Sequence, residues 1–194
     1  MKISNKNKII RNTLKVMANQ YDVVNLCTRL LDNDNFFYWS GSSKPENHHY
    51  GTGGLAQHTY EVISLCLAMN SSLTYFGKGC NSRQLFLSAL YHDVGKLYDY
   101  KEVDGVWVAG EHKYKIHHIS RSALMFQDEY IDAYGLPDEK SDDIIHAILS
   151  HHGLRELGSP VAPQTIMAWI LHLCDNMSAR SEECHVRLWK NKTS

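Results

Sequence analysis

Several protein classes are excluded by what this sequence lacks. Its five cysteines, at positions 27, 66, 80, 174 and 184, are odd in number and show no paired spacing. That argues against a disulfide framework and against a thiolate-held structural zinc, and Cys27, Cys66 and Cys174 sit in apolar helical runs as reduced core thiols. No stretch approaches the ~20 apolar residues of a membrane span, and the basic start MKISNKNKIIRN has no apolar secretion segment. The expectation is a cytoplasmic protein with no membrane partner. Charge of either sign is not in excess: 20 Lys and Arg stand against 21 Asp and Glu, a net charge of -1. There is no basic footprint for long nucleic acid, which leaves small nucleotides and short single-stranded ends. The chain has no Gly-x-Ser-x-Gly elbow, no P-loop, no internal repeat and no low-complexity segment.

What is present is an ordinary globular composition, 43% hydrophobic and 21% charged over 194 residues, enough for one domain with a real core. Apolar periodicity predicts helices over about 4–19, 21–32, 55–69, 82–91, 118–133, 138–150 and 163–179, with a short amphipathic tail over 182–189. In the 55–69 helix, Leu55, His58, Val62, Leu65 and Met69 fall near one face. In the 163–179 helix, Ile166, Trp169, Ile170, Leu173 and Met177 are expected to face inward. The stretch 36–52 reads as loop. The one strand signal is Glu102–Val108, a hairpin with an Asp-Gly turn. The fold class is therefore mostly α, a helical bundle with one short β-hairpin.

Histidine is in surplus, with 12 residues in dispersed short clusters, and surplus histidine in such a chain points to a metal site. The string Tyr91-His92-Asp93-Val94-Gly95-Lys96 ends an apolar helix with an imidazole next to a carboxylate. His58, His118, His151, His152 and Asp175 can complete a site at the centre of a bundle. His117 competes with His118. Imidazole and carboxylate donors suit Mn, Fe, Zn, Co or Ni. A carboxylate can bridge two cations ~3.5–4 Å apart. One metal would take His58, His92, Asp93 and Asp175, and a second would share Asp93 and take His118, His151 and His152. A hydroxide bridging the two ions would then be the nucleophile.

Other residues have weaker roles. Lys96 would neutralise charge on a phosphate oxygen, and Arg121, one turn after His118, would share its face. His172 precedes Asp175 by one turn and could orient it. His48 and His49 could contact substrate. Tyr50, Trp107 and Tyr114 could stack on a base but read first as packing residues. His112, His146 and His185 read as structural or surface groups.

The ordered strings GGLAQHT, ALYHDVGK, HHISRSA, ILSHHGLRELGSPV and LHLCDNMSA, preceded by His48-His49, resemble the HD superfamily of metal-dependent phosphohydrolases. The resemblance is closer to the HD domain of YhaM-type 3′→5′ exoribonucleases. It spans about residues 48–180 and implies an HD-domain helical bundle, two divalent transition-metal ions and hydrolysis of a phosphoester. It implies metal ligation by His58, His92, Asp93, His118 and Asp175, with His151 and His152 at the second metal, and a phosphate-side role for Lys96. Two departures accompany it. The related exoribonucleases carry an N-terminal OB-type region, whereas residues 1–47 here are helical in pattern and expected to pack on the HD core as an extension. Gln57 stands where an acidic residue is common. The expected function is a dinuclear phosphohydrolase or phosphodiesterase acting on nucleotides or short nucleic-acid 3′ ends. The alternatives are a di-iron oxygenase on the same fold and a non-catalytic metal-dependent nucleotide-binding module.

Overall fold

A computed structural model describes residues 2–193, with side chains through His185. The first helix, α1 (Asn5–Gln20), starts at Ser4, whose hydroxyl accepts the Asn7 N–H. Its buried stripe is Asn7, Ile10, Leu14 and Ala18. The polar member has a purpose: Asn7 Nδ2 donates to the carbonyls of Phe37 and Gly53, at 2.7 and 3.0 Å. Gly53 sits at φ +82, and a Cβ there would come within 2.0 Å of Asn7 Nδ2. A glycine is required by both the left-handed backbone and the close approach. The N-terminal helix is thereby tied to the turn that launches α4 (Gly54–Tyr75). Between them lie α2 (Val24–Leu31) and α3 (Asp34–Tyr38), the latter a helix where the sequence predicts loop. Asn33 accepts the Asn35 N–H and caps this short turn, a local bond that periodicity over five residues does not register.

At the centre lies α5 (Ser82–Tyr91), started by Asn81, whose Oδ1 accepts the N–H groups of Arg83 and Gln84. Every residue from Leu85 to Tyr91 is buried. A helix that is buried all round cannot be amphipathic, so its end lies inside the bundle, and that end carries His92 and Asp93. Helices α4, α8 (His118–Tyr134), α9 (Glu139–Leu149) and α10 (Ile166–Thr193) surround it. One continuous core holds Leu14, Phe36, Phe37, Ile63, Phe86, Phe126, Ile144 and Leu171. Each such side chain contributes roughly 1.5–3 kcal/mol on burial.

Between α5 and α8 the chain leaves the bundle through α6 (Lys96–Asp99), a hairpin and α7 (His112–Lys115). Strands β1 (Tyr100–Val103) and β2 (Val106–Ala109) pair antiparallel. Asp104 and Gly105, at φ 51 and 78, make the turn; positive φ at both central positions is the geometry that hairpin twist prefers. Trp107 is buried against Tyr38 and Trp39, and the Tyr50 hydroxyl accepts the Trp107 N–H. Tyr114 is exposed.

Helix α10 corrects two expectations. It is one helix where the sequence suggests a break near 180, and its apolar stripe is turned. Ile166, Trp169, Leu173 and Met177 are exposed, while Met167, Ala168, Ile170, Leu171 and Cys174 are buried. Asp175 and Ser178 must face His58, and that demand sets the helix phase. No described helix is long and apolar enough to cross a membrane.

Candidate metal centre

Four histidines meet at Asp93. His58 comes from the second turn of α4, His92 from the end of α5, His118 from the first turn of α8 and His151 from the loop after α9. The His58 and His92 Nε2 atoms each lie 3.4 Å from Asp93 Oδ2. His118 and His151 Nε2 lie 3.4 and 3.7 Å from Oδ1. Each oxygen of one carboxylate therefore faces a different pair of imidazoles. Asp175 joins the first pair, its Oδ1 2.9 Å from His58 Nε2. His152 joins the second, its ring centroid 5.3 Å from that of His118. Potential donor atoms of His58, His92, Asp93 and Asp175 form one compact group, and those of His118, His151 and His152 form another.

The outer hydrogen bonds fix the tautomers. His92 Nδ1 donates to the Ala89 carbonyl at 2.8 Å, and His151 Nδ1 to that of Ile148 at 2.6 Å. His118 Nδ1 donates to Asp99 Oδ2 at 3.1 Å. The Ser178 hydroxyl donates to Glu61 and so accepts from His58 Nδ1, at 3.1 Å. All four rings then turn an Nε2 lone pair inward, the arrangement a metal-ligating histidine adopts.

Most of the inward atoms are left without hydrogen bonds. Both Asp93 oxygens, His118 Nε2 and His151 Nε2 are buried and make no hydrogen bond. Buried polar atoms that stay unpaired cost about 1–3 kcal/mol each. His92 and His58 point Nε2 at each other across 3.3 Å, which two lone pairs tolerate only with a cation or a proton between them. Without metal, protons substitute. Burial opposes the charged form of His58, but its hydrogen bond to Asp175 and the nearby Asp93 carboxylate outweigh that and lift its pKa to about 8. Burial lowers His118 to about 4 against the pull of Asp99. It also lowers His152 to about 2, helped by His151. The residues present thus fit divalent cations held by imidazole and carboxylate.

Lys96 reaches over this centre. Its Nζ lies 2.6 Å from Asp93 Oδ2, off hydrogen-bond alignment. Burial works against its charge, yet Asp93 overrides burial and raises its pKa. Reciprocally, burial disfavours the Asp93 carboxylate, but Lys96 and His92 hold it well below the usual range.

Two glycines permit the approach. A Cβ on Gly95 would come within 2.2 Å of the His118 carbonyl, so the His-Asp-x-Gly turn lets α8 begin against the site. Gly153, at φ +91, would clash with the His172 ring at 2.5 Å. His172 donates from Nδ1 to the His151 carbonyl at 2.9 Å. It steadies the His151-His152 loop and does not bond Asp175 as the sequence suggests.

A cleft of about 250 Å³ opens beside the centre, lined by His48, His152, His172, Asp175, Asn176 and Arg180, among others. His48 is on its wall. His49 is buried behind it, its Nε2 3.0 Å from Glu61 and its Nδ1 3.2 Å from His48 Nδ1. Of the two adjacent histidines, His118 turns inward. His117, at φ 68, lies half-buried outside it with ring centroids 4.2 Å apart. Gln57 faces away and accepts from Lys6 at 2.7 Å. Arg121 Nε donates to His112 Nε2 at 3.2 Å, and its guanidinium lies over Tyr98 at 5.1 Å.

Sequence reasoning misses Asp99, Glu61 and Ser178. Asp99 is fully buried and accepts from the His118 backbone, the His118 ring and His112 Nδ1. Its only sequence signal is its place one turn after Lys96. Glu61 falls one turn after His58 on α4, the same kind of faint signal.

A family model for the HD domain matches residues 55–180. The 3′-5′ exoribonuclease YhaM of Oceanobacillus iheyensis is 33% identical over 137 residues, 70% of this chain and 41% of that protein. The same-named protein of Bacillus subtilis is 30% identical with the same shares. The dihydroneopterin 2′,3′-cyclic phosphate phosphodiesterase of Methanocaldococcus jannaschii is 29% identical over 143 residues, 73% of this chain and 52% of that protein. The chain thus spans about two fifths to one half of the length of these curated relatives. No solved structure matches it. With the matched region running from α4 into α10, and with it all seven histidine and aspartate residues of the centre, the chain belongs to the HD-domain family.

Proposed function

We propose that this protein is a dinuclear metal-dependent phosphohydrolase of phosphodiester bonds in nucleotides or short nucleic-acid 3′ ends, built as one HD domain on which residues 1–47 pack. The observation that carries the reading is the set of four buried atoms at the centre, both Asp93 oxygens and the Nε2 atoms of His118 and His151, that could ligate a metal and make no hydrogen bond. His58, His92, Asp93 and Asp175 would hold one ion, and Asp93, His118, His151 and His152 the other. The names of the relatives, exoribonuclease and cyclic phosphate phosphodiesterase, both denote phosphodiester cleavage.

The ions supply a water acidified towards neutral pH and a Lewis acid for phosphoryl oxygens. The chain's own side chains do the rest. Asp99, Ser178 and the carbonyls of Ala89 and Ile148 hold the four Nδ1 protons outward, so that the Nε2 atoms stay free. The Lys96 ammonium is fixed within the site and balances negative charge as it grows on phosphate. Arg121, oriented through His112, and His48 on the cleft wall are the groups assigned to substrate phosphate.

The test is hydrolysis of bis(p-nitrophenyl) phosphate, p-nitrophenyl phosphate, deoxynucleoside triphosphates and short RNA with Mn²⁺, Ni²⁺, Co²⁺ or Mg²⁺, using Asp93→Ala as control. Metal-dependent cleavage of the phosphodiesters that is lost in Asp93→Ala is expected. Activity surviving in Asp93→Ala, or O₂ uptake by the iron form with no hydrolysis, overturns the reading.

A further inference from the structure

The cleft beside the metal centre has walls that the proposed reaction leaves unassigned. Asp175 and His152, one expected ligand from each group, both line it. So do Asn176, Arg180 and Glu183 of α10, and Leu157 of the turn Arg155–Leu157. Positions 176, 180 and 183 recur every three or four residues and share one face of the helix. At a rise of ~1.5 Å per residue, Glu183 lies ~12 Å along α10 from Asp175. That is roughly the span from a nucleotide's phosphate to the far edge of its base.

Arg180 Nη1 donates to Glu183 Oε2 at 2.8 Å. The two differ from an ordinary surface pair: the Arg180 side chain is 67% exposed, but that of Glu183 only 18%. The carboxylate is largely withdrawn from water and has one partner. Its Oε1, the Arg180 Nε and Nη2, and the Asn176 amide make no hydrogen bond among the described residues. Arg180 is the one Lys or Arg on the cleft wall among the described residues, and Glu183 balances its charge. Leu157 is exposed and apolar. A charge-balanced wall with free hydrogen-bonding atoms and a leucine suits the uncharged end of a nucleotide better than a further phosphate.

The order of donors and acceptors narrows the choice. An ionised glutamate only accepts, at two oxygens, and a guanidinium only donates. Side by side they offer two acceptors followed by a donor. The Watson–Crick edge of guanine offers the complement, with protons on N2 and N1 followed by the acceptor O6. Adenine and cytosine can meet at most two of the three. Uracil sets a carbonyl against a carboxylate oxygen. A mismatched base leaves a partly buried oxygen unpaired, which is costly.

We propose that Arg180 and Glu183 form a base-specificity site for guanine, with Leu157 against the ring face. The inference rests on the phosphohydrolase reading for the placement of the phosphate at the metals, and it refines the substrate class to guanine nucleotides.

The test keeps one phosphate and varies the base. The Mn²⁺-loaded protein is titrated calorimetrically with the 5′-monophosphates of guanosine, inosine, adenosine, cytidine and uridine. KM is measured on the p-nitrophenyl esters of the same nucleotides. Guanosine is expected to have Kd and KM about tenfold or more below adenosine, cytidine and uridine. Inosine, which lacks the 2-amino group, should fall between. Glu183→Gln turns one acceptor into a donor and should bring guanosine and inosine together. Arg180→Ala should remove the preference over adenosine, and Lys115→Ala, on α7, should leave every ratio unchanged. Guanosine binding no tighter than the other bases, inosine binding as tightly as guanosine, or a preference that survives in both cleft variants overturns the site. Absence of hydrolysis with every ester counts against the phosphohydrolase reading, while the titrations still decide the base site.

Discussion

Asp99 grips His118 at two points: its Oδ2 accepts the backbone N–H at 2.9 Å and the ring Nδ1–H at 3.1 Å. The bond to the backbone sets where α8 begins, and the bond to the ring sets which nitrogen faces Asp93. One buried carboxylate therefore determines both the position and the tautomer of an expected metal ligand.

Asp99→Asn keeps the shape but not the acceptor pattern, since an amide cannot accept on both sides from His112 and His118. Loss of such an outer partner costs about 10–100-fold in metal affinity or activity. The loss should fall on the ion at His118 and His151, and the ion at His58 and His92 should remain. Competition against a chromophoric chelator reads the two affinities separately. Equal weakening of both ions would argue that Asp99 acts on the fold alone.

Gly95→Ala tests the approach of α8 to the His-Asp turn. The added methyl meets the His118 carbonyl at 2.2 Å, and the backbone must move. A cost of about 1–3 kcal/mol is expected, read as a lower urea midpoint, together with loss of the ion nearest His118. An alanine variant of unchanged stability and metal content would show that the approach is loose.

Stability of the metal-free protein should fall on acidification. His48, His118 and His152 have pKa values lowered to about 2, about 4 and about 2, with burial the largest cause in each. Below their ordinary value of 6.5 the unfolded chain takes up these protons and the folded chain does not. Their contribution is full above pH 6.5 and is lost as pH falls towards 4, at about 1.4 kcal/mol per proton per pH unit. His58, raised to about 8, has the opposite sign: its contribution is full below 6.5 and is lost as pH rises through 8. Urea midpoints of chelator-treated protein between pH 6.5 and 4.5 should therefore decrease, and His152→Ala should flatten the slope. A flat profile in the parent protein contradicts these burial-driven shifts.

Much of the centre is legible in the amino-acid sequence, for a physical reason. Side chains able to ligate a metal are of a few chemical types, and here His92, Asp93, His118, His151 and His152 fall at or beside helix ends, with His58 and Asp175 within helices. Asp93 between two groups of imidazoles follows from that alone. The supporting residues do not. Glu61 and Ser178 meet across 117 positions, and serine and glutamate on a helix surface look the same whether or not a histidine waits behind them. The α10 phase is hidden for another reason. Periodicity there selects Ile166-Trp169-Ile170-Leu173-Met177 as the inward stripe, yet of these only Ile170 is buried, alongside Met167, Leu171 and Cys174 on a second apolar face. The need to aim Asp175 at His58 turns the second face inward. The short helix α3 escapes because five residues are too few for a period to show.

In the proposed function, Asp93 joins two metal sites, one at each oxygen. The most direct measurement is metal content per chain by elemental analysis, paired with Mn²⁺-dependent hydrolysis of bis(p-nitrophenyl) phosphate, for the parent protein and Asp93→Asn. The parent should retain two ions per chain and cleave the diester. Asp93→Asn, folded by circular dichroism, should retain at most one ion and lose at least about a hundredfold in rate. Two ions and undiminished cleavage in Asp93→Asn would show that Asp93 does not join two metal sites.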